Sequence, residues 1–104
     1  MKTAFSVELL SRAIDVAYVA GATARVLARH GVMAADTVAM QLGACERIAD
    51  DLADFCEETS STSSVSQRCF ARAIECASRC AALRDTLGRA GASRSRRYGD
   101  GSAA

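Results

Sequence analysis

The sequence predicts an all-α fold: three long helices in an antiparallel bundle, completed to a four-helix-type core by self-association. Three observations lead there. The chain contains no proline and no tryptophan, few aromatics and abundant alanine, a composition that favours helices over sheets. Apolar residues recur three and four apart along three long stretches. Two cysteine pairs, Cys45 with Cys56 and Cys69 with Cys80, share one eleven-residue spacing. That spacing is almost three whole turns, so each pair shares a helix face at roughly 16 Å separation. With 104 residues the chain makes one domain. The bundle is expected over residues 1–90, followed by a disordered, basic, Gly/Ser-rich tail over 91–104.

Helix one is expected from about Ala4 to His30, with Arg25 and Arg29 near its C-terminal dipole and Gly31 as the stop. Its polar stripe is Glu8, Arg12, Asp15, Ala22, Arg25 and Arg29, and nearly everything else is apolar. So wide an apolar surface calls for burial on more than one side, which predicts a homodimer or higher homo-oligomer. Helix two is expected from about Met33 to Glu58, with Val38, Leu42, Cys45, Ala49, Leu52 and Cys56 as its seam. A polar break, residues 59–66, follows. Helix three begins after Ser64, where Ser64-Val-Ser-Gln67 reads as a capping box. Its seam is Cys69, Ala73, Cys76, Cys80, Leu83 and Leu87, and Gly88 or Gly91 ends it.

If helices two and three fold back about the break, residues at one level carry numbers with a constant sum. Cys45 with Cys80 and Cys56 with Cys69 both sum to 125. All five cysteines then face one seam, Cys45 opposite Cys76 and Cys80 at one end, Cys56 opposite Cys69 at the other. Charge agrees with this pairing. Helix two is acidic and helix three carries Arg68, Arg72, Arg79, Arg84 and Arg89, although each exposed pair contributes only ~0–1 kcal/mol.

A net charge of +1 argues against bulk nucleic-acid binding. Lys2 before an apolar stretch and Ala22-Thr-Ala24 resemble a signal peptide, but Glu8, Arg12 and Asp15 interrupt the apolar run. No segment reaches the length of an uncharged membrane span. The expectation is a cytoplasmic protein with reduced thiols and no membrane or nucleic-acid partner. Five cysteines cannot all pair within one chain.

Cys76 and Cys80 are one turn apart, with Cβ atoms about 5–6 Å from each other, close enough for two thiolates to hold one soft ion. Thiolate sulfur favours Cu(I), Zn(II) or iron–sulfur clusters. Zinc wants four ligands, often from turn-based Cys-x-x-Cys knuckles, and none occurs here. Cu(I) accepts two or three thiolates. The plainer reading of a helical cysteine is a small buried hydrophobe, set here against five on one seam.

At these residues the chain resembles the four-helix-bundle copper storage proteins, which line a bundle with cysteines and hold Cu(I). Their last two helices repeat cysteine at offsets 0, 4, 7 and 11. Cys45, Ala49, Leu52, Cys56 and Cys69, Ala73, Cys76, Cys80 fall on those offsets, and Cys76-Ala-Ser-Arg-Cys80 keeps the local motif. Residues 20–31, AGATARVLARHG, look like the end of that family's second helix and its turn. The resemblance covers roughly residues 15–85 and implies Cu(I) as cargo, with Cys45, Cys76, Cys80, Cys56 and Cys69 as ligands. Ala49, Leu52 and Ala73 replace cysteines often found in the family, and helix one has none. One family helix and the histidines flanking the bundle mouth are also missing. The implied protein is a shortened, cysteine-depleted relative of low copper capacity, for delivery or sensing.

Two other readings stand beside it. One is a helical scaffold whose cysteines pack or form a staple, Cys45 to Cys80 and Cys56 to Cys69, with Cys76 free. The other is a copper-dependent enzyme, for which no catalytic residue can be named: one histidine assembles no Ser-His-Asp set. His30 reads as a helix-end residue, Met33 and Met40 as core packing before thioether ligands, and Tyr18 as an amphipathic core residue. The acidic residues of helix two read as a solvated face, since no Glu-x-x-His accompanies them.

Overall fold

A computed structural model describes the backbone of residues 2–59 and 63–103, and side chains over 7–59 and 63–89. It holds three helices, α1 (Lys2–Ala28), α2 (Ala35–Glu58) and α3 (Ser64–Ala103). The 40-residue α3 sets the long axis of a rod measuring 67 × 21 × 15 Å.

The helix ends follow local hydrogen-bonding chemistry. α1 stops two residues before His30. The Arg29 and His30 amides then donate three residues back, to Val26 O (3.0 Å) and Leu27 O (3.2 Å), tightening the last turn. Imidazole Nδ1 of His30 meets Leu27 O at 2.8 Å, so His30 serves the helix end. α2 begins two residues later than expected, behind an extended Ala34 that offers no side-chain cap. At its far end Thr59 Oγ1 donates to Phe55 O (2.8 Å) and Cys56 O (3.2 Å), satisfying carbonyls the helix leaves unpaired. Ser63, one residue before the expected cap, opens α3: its hydroxyl accepts from the Ser66 amide at 3.1 Å. Residues 60–62 of the polar break lie outside the described residues.

α3 does not end at Gly88 or Gly91. Its backbone stays helical to Ala103. No proline interrupts it, and each glycine costs a helix only about 1 kcal/mol.

α2 is the central element and packs against both neighbours, while α1 and α3 barely touch each other. All six seam residues expected on α2 are buried, joined by Ala53. They divide into two clusters. Near the α2–α3 turn, Leu52, Ala53 and Cys56 meet Leu9 and Ala73. At the other end Val38, Leu42 and Cys45 meet Cys80, with Val26, Leu27 and Cys76 against them. α1 therefore runs antiparallel to α2, Leu9 over Leu52 and Leu27 over Leu42. Two polar contacts fix that packing: Gln41 Nε2 donates to Thr23 Oγ1 (2.9 Å), and the Arg12 guanidinium lies 4.6 Å from the Phe55 ring centroid.

Four expectations need correction. Opposite charge does not latch α2 to α3. Arg72 and Arg79 pair with Glu75, and Arg89 pairs with Asp85, all within α3, where neighbours three or four apart are closer than the next helix. Among the described residues Arg84–Glu46 (2.8 Å) is the one ion pair crossing between them. Gly43 makes room for it, since a Cβ there would lie 3.2 Å from Arg84 Nη1. Tyr18 is 82% exposed and Met40 75% exposed, so neither is core. Leu83 is also exposed on α3, where it lines the cleft that α1 and α3 leave open.

The packing yields a direct check. Leu42 is 1% exposed, and Leu42→Ala should lower the unfolding free energy by about 2–5 kcal/mol in a denaturant titration. Met40→Ala, two residues away but outside the seam, should change it by no more than about 0.5 kcal/mol.

Candidate metal centre

The hairpin register brings three thiols together. Cys45 projects from α2, and Cys76 and Cys80, one turn apart, project from α3 toward it. The Sγ atoms of Cys45 and Cys76 are 4.0 Å apart, and all three sulfurs lie within 4.8 Å of one another. Three sulfurs around one soft ion at about 2.3 Å would sit about 4.0 Å apart in a trigonal plane. The sulfurs are therefore spaced to hold an ion with movements of under about 1 Å. All five cysteines are free thiols.

Cys45 and Cys80 are buried, and Cys76 is partly exposed toward a cleft of about 460 Å³. The cleft exists because α1 and α3 do not close on each other. Ala20, Ala24 and Leu27 form its α1 wall, Arg72, Glu75 and Arg79 lie on its α3 side, and the three thiols are at its floor. Glu75 lies 2.7 Å from Arg79 and 3.4 Å from Arg72, so the carboxylate is held by guanidinium groups beside the thiols. No His, Asp or Glu joins the three-sulfur cluster among the described residues.

The other two cysteines stay apart from this centre. Cys56 and the partly buried Cys69 sit in the cluster with Leu9, Phe55 and Phe70. Buried Ala49 and Ala73 separate the two thiol groups, so the seam is two islands and not a continuous lining. Ser66, 1% exposed, hydrogen-bonds Cys56 and favours its thiolate. Sequence reasoning treated Ser66 as part of a cap. Yet it precedes Cys69 by three and extends the seam by one step, a signal that was present. Glu75 was missed as well, since nothing in its own surroundings in the sequence ties it to the thiols. Of the methionines weighed as ligands, Met33 packs against the Cys45 cluster as core and Met40 faces solvent.

Burial sets the acidity of these thiols. It is the largest influence on Cys80, whose pKa is pushed up to about 12 with further increases from Cys45 and Cys76. Cys76 is also raised, first by burial and then by Cys45. Cys56 is raised by burial, against the Ser66 hydrogen bond. Positive neighbours lower a thiol pKa, and in the sequence Arg47 follows Cys45 by two residues and Arg79 adjoins Cys80. Arg79 does favour the Cys76 thiolate, but it is the smallest influence there. Its side chain is mostly exposed and bound to Glu75, so water and a carboxylate screen it, whereas desolvation acts on the sulfur directly. Arg47 is exposed.

The chain matches no protein-family model, no curated protein and no solved structure. Among the described residues no helix is long and apolar enough to cross a membrane. What stands on geometry is a helical bundle with a three-cysteine cluster able to hold a metal ion.

The raised thiol pKa values set a pH dependence for the metal-free protein. A thiol with pKa near 9 when unfolded and about 12 when folded keeps its proton longer in the native state. Its contribution to stability is complete below pH 9 and is lost as pH rises from there toward 12. Thermal melts across that window should show the wild type losing more stability than Cys80→Ala, and equal losses would contradict the burial argument.

Proposed function

We propose that this chain is a low-capacity Cu(I)-binding bundle, a shortened and cysteine-depleted relative of the copper storage proteins. It holds one Cu(I) at Cys45, Cys76 and Cys80 in the cytoplasm, as a homodimer or higher homo-oligomer, for delivery or sensing. The observation that carries this reading is the set of three soft donors within 4.8 Å, unaccompanied by a fourth among the described residues. Zinc in a structural site takes four ligands, and a three-sulfur set leaves it one short. Cu(I) is satisfied by three thiolates, and sulfur is its preferred donor. Reduced thiols require a reducing compartment, which is the ground for placing the protein in the cytoplasm.

Binding is a proton exchange. At neutral pH the Cys76 and Cys80 thiols are protonated, so each sulfur that bonds the ion must release a proton. Three thiolates around Cu(I) carry a net charge of −2. Arg72 and Arg79 beside the cleft stabilise that charge more than they stabilise one thiolate, because the attraction scales with the charge they face. The open cleft gives an incoming ligand access to the ion from the Cys76 side, which suits exchange better than permanent storage. Cys56 and Cys69 offer two sulfurs for a second, weaker equivalent, with Ser66 hydrogen-bonded to one of them.

Anaerobic titration of fully reduced protein with Cu(I) against a competing chelator tests this. One tight equivalent is expected. The double variant Cys76→Ala/Cys80→Ala should lose it, by about a hundredfold or more in affinity given two lost ligands, while Cys56→Ala/Cys69→Ala should retain it. Below pH 9 the affinity should rise with pH, about tenfold per unit for each thiol proton displaced, so the slope counts the coordinating sulfurs. If both double variants take up the first equivalent as wild type does, the thiols are packing residues and the scaffold reading replaces this one. A site that prefers Zn(II) would also overturn it.

A further inference from the structure

α1 carries two interleaved apolar seams, and α2 fills only one of them. Leu9, Val16, Thr23 and Leu27 belong to the first, which faces α2. The second runs Val7, Leu10, Ile14, Ala17, Gly21, Ala24, with alternating steps of three and four, the spacing of a coiled-coil interface. On this second seam Val7 and Leu10 are each 62% exposed and Ile14 is 53% exposed. Three large aliphatic side chains thus stand in water in a row, on the element whose sequence called for burial on more than one side.

We propose that this second seam pairs with the same seam of another copy of this chain, with the two α1 helices antiparallel. The seam is lopsided, and that asymmetry decides both the occupant and the direction. Its N-terminal half is a ridge of Val7, Leu10 and Ile14. Its C-terminal half is small: Ala17, Gly21 and Ala24. A Cβ added at Gly21 would meet nothing within 4 Å, and a hollow of about 400 Å³ lies there among Ile14, Ala17, Tyr18 and Arg25. In an antiparallel pair, facing residues have numbers with a constant sum. Val7 with Ala24, Leu10 with Gly21 and Ile14 with Ala17 all sum to 31. Every large residue then faces a small one of the partner copy, at both ends of the two-fold interface. A parallel pair would set Leu10 against Leu10 and Ile14 against Ile14, ridge on ridge, and leave the two hollows empty.

Ala24 also lines the wall of the thiol cleft, so the paired α1 of the second copy would border the side from which an ion enters. The proposal itself needs no metal.

Sedimentation velocity of the full reduced chain, metal-free, over low to high micromolar concentration is the test. Wild type should be a reversible dimer. Leu10→Glu and Gly21→Leu, one burying a charge and the other filling the hollow, should each raise the dimer Kd about tenfold or more. Met40→Glu, at an exposed apolar residue off the seam, should leave Kd unchanged. Leu10→Ala alone should also weaken the dimer, and Leu10→Ala together with Gly21→Leu should restore it, because in an antiparallel pair position 10 faces position 21 of the other copy. Circular dichroism separates loss of pairing from loss of fold, and Cu(I) uptake by Leu10→Glu should match wild type, which keeps this test independent of the metal reading. A wild type that stays monomeric, a Leu10→Glu protein that dimerises as wild type, or a Met40→Glu protein that weakens equally would overturn the proposed interface. Failure of the size-exchange pair to restore affinity would overturn the antiparallel direction.

Discussion

The structure depends on one stripe: the run of Val38, Leu42, Cys45, Ala49, Leu52 and Cys56 down α2, buried along its whole length. Because α1 and α3 hardly meet, this stripe and its immediate neighbours must support both at once. Small residues make that feasible. Ala49, Ala53, Ala73 and Ala77 are buried between the helices and let the backbones come close. Close backbones are also what bring sulfur atoms from two helices to 4.0 Å, since a cysteine side chain reaches only a short way into the seam. The same packing that stabilises the hairpin thus assembles the three-thiol cluster.

Incomplete closure gives the cluster its character. A fourth helix, or an α1 lying against α3, would cover Cys76. Instead the cleft leaves that sulfur partly exposed while Cys45 and Cys80 remain buried. Burial favours the protonated form of Cys76 and Cys80, and the thiolate is the form that reacts with oxidants. A soft cation can displace those protons by bonding sulfur directly, whereas exposed guanidinium groups act at a distance through solvent. This difference in range explains why the neighbouring arginines do so little to the thiol pKa values.

The outer face of α1 follows from the same geometry. Two helices packed on a central one leave each outer helix with a side turned to water. On α3 that side is largely charged, and its arginines pair within the helix. On α1 the corresponding side is aliphatic, with Val7, Leu10 and Ile14 exposed in one row.

What could be read from the sequence was whatever depends on periodicity along a single helix. The number of helices, the six-residue seam of α2 and the register pairing Cys45 with Cys76 and Cys80 all follow from 3.6 residues per turn and one reversal. The constant sum holds in three dimensions because antiparallel helices rise at the same rate. The quantities decided between helices could not be read there. Whether Arg79 or desolvation governs Cys76 depends on depth and on the Glu75 carboxylate that occupies the arginine. Whether Tyr18 is core or surface depends on which of two equally apolar faces of α1 meets α2, and the sequence of α1 does not distinguish them. The end of α1 and the start of α3 moved by one or two residues because caps compete locally, Ser63 against Ser64 and Ala28 against His30. Periodicity along the chain fixed which residues share a face, and only packing decided which face is dry, because burial is a property of the neighbours and not of the helix itself.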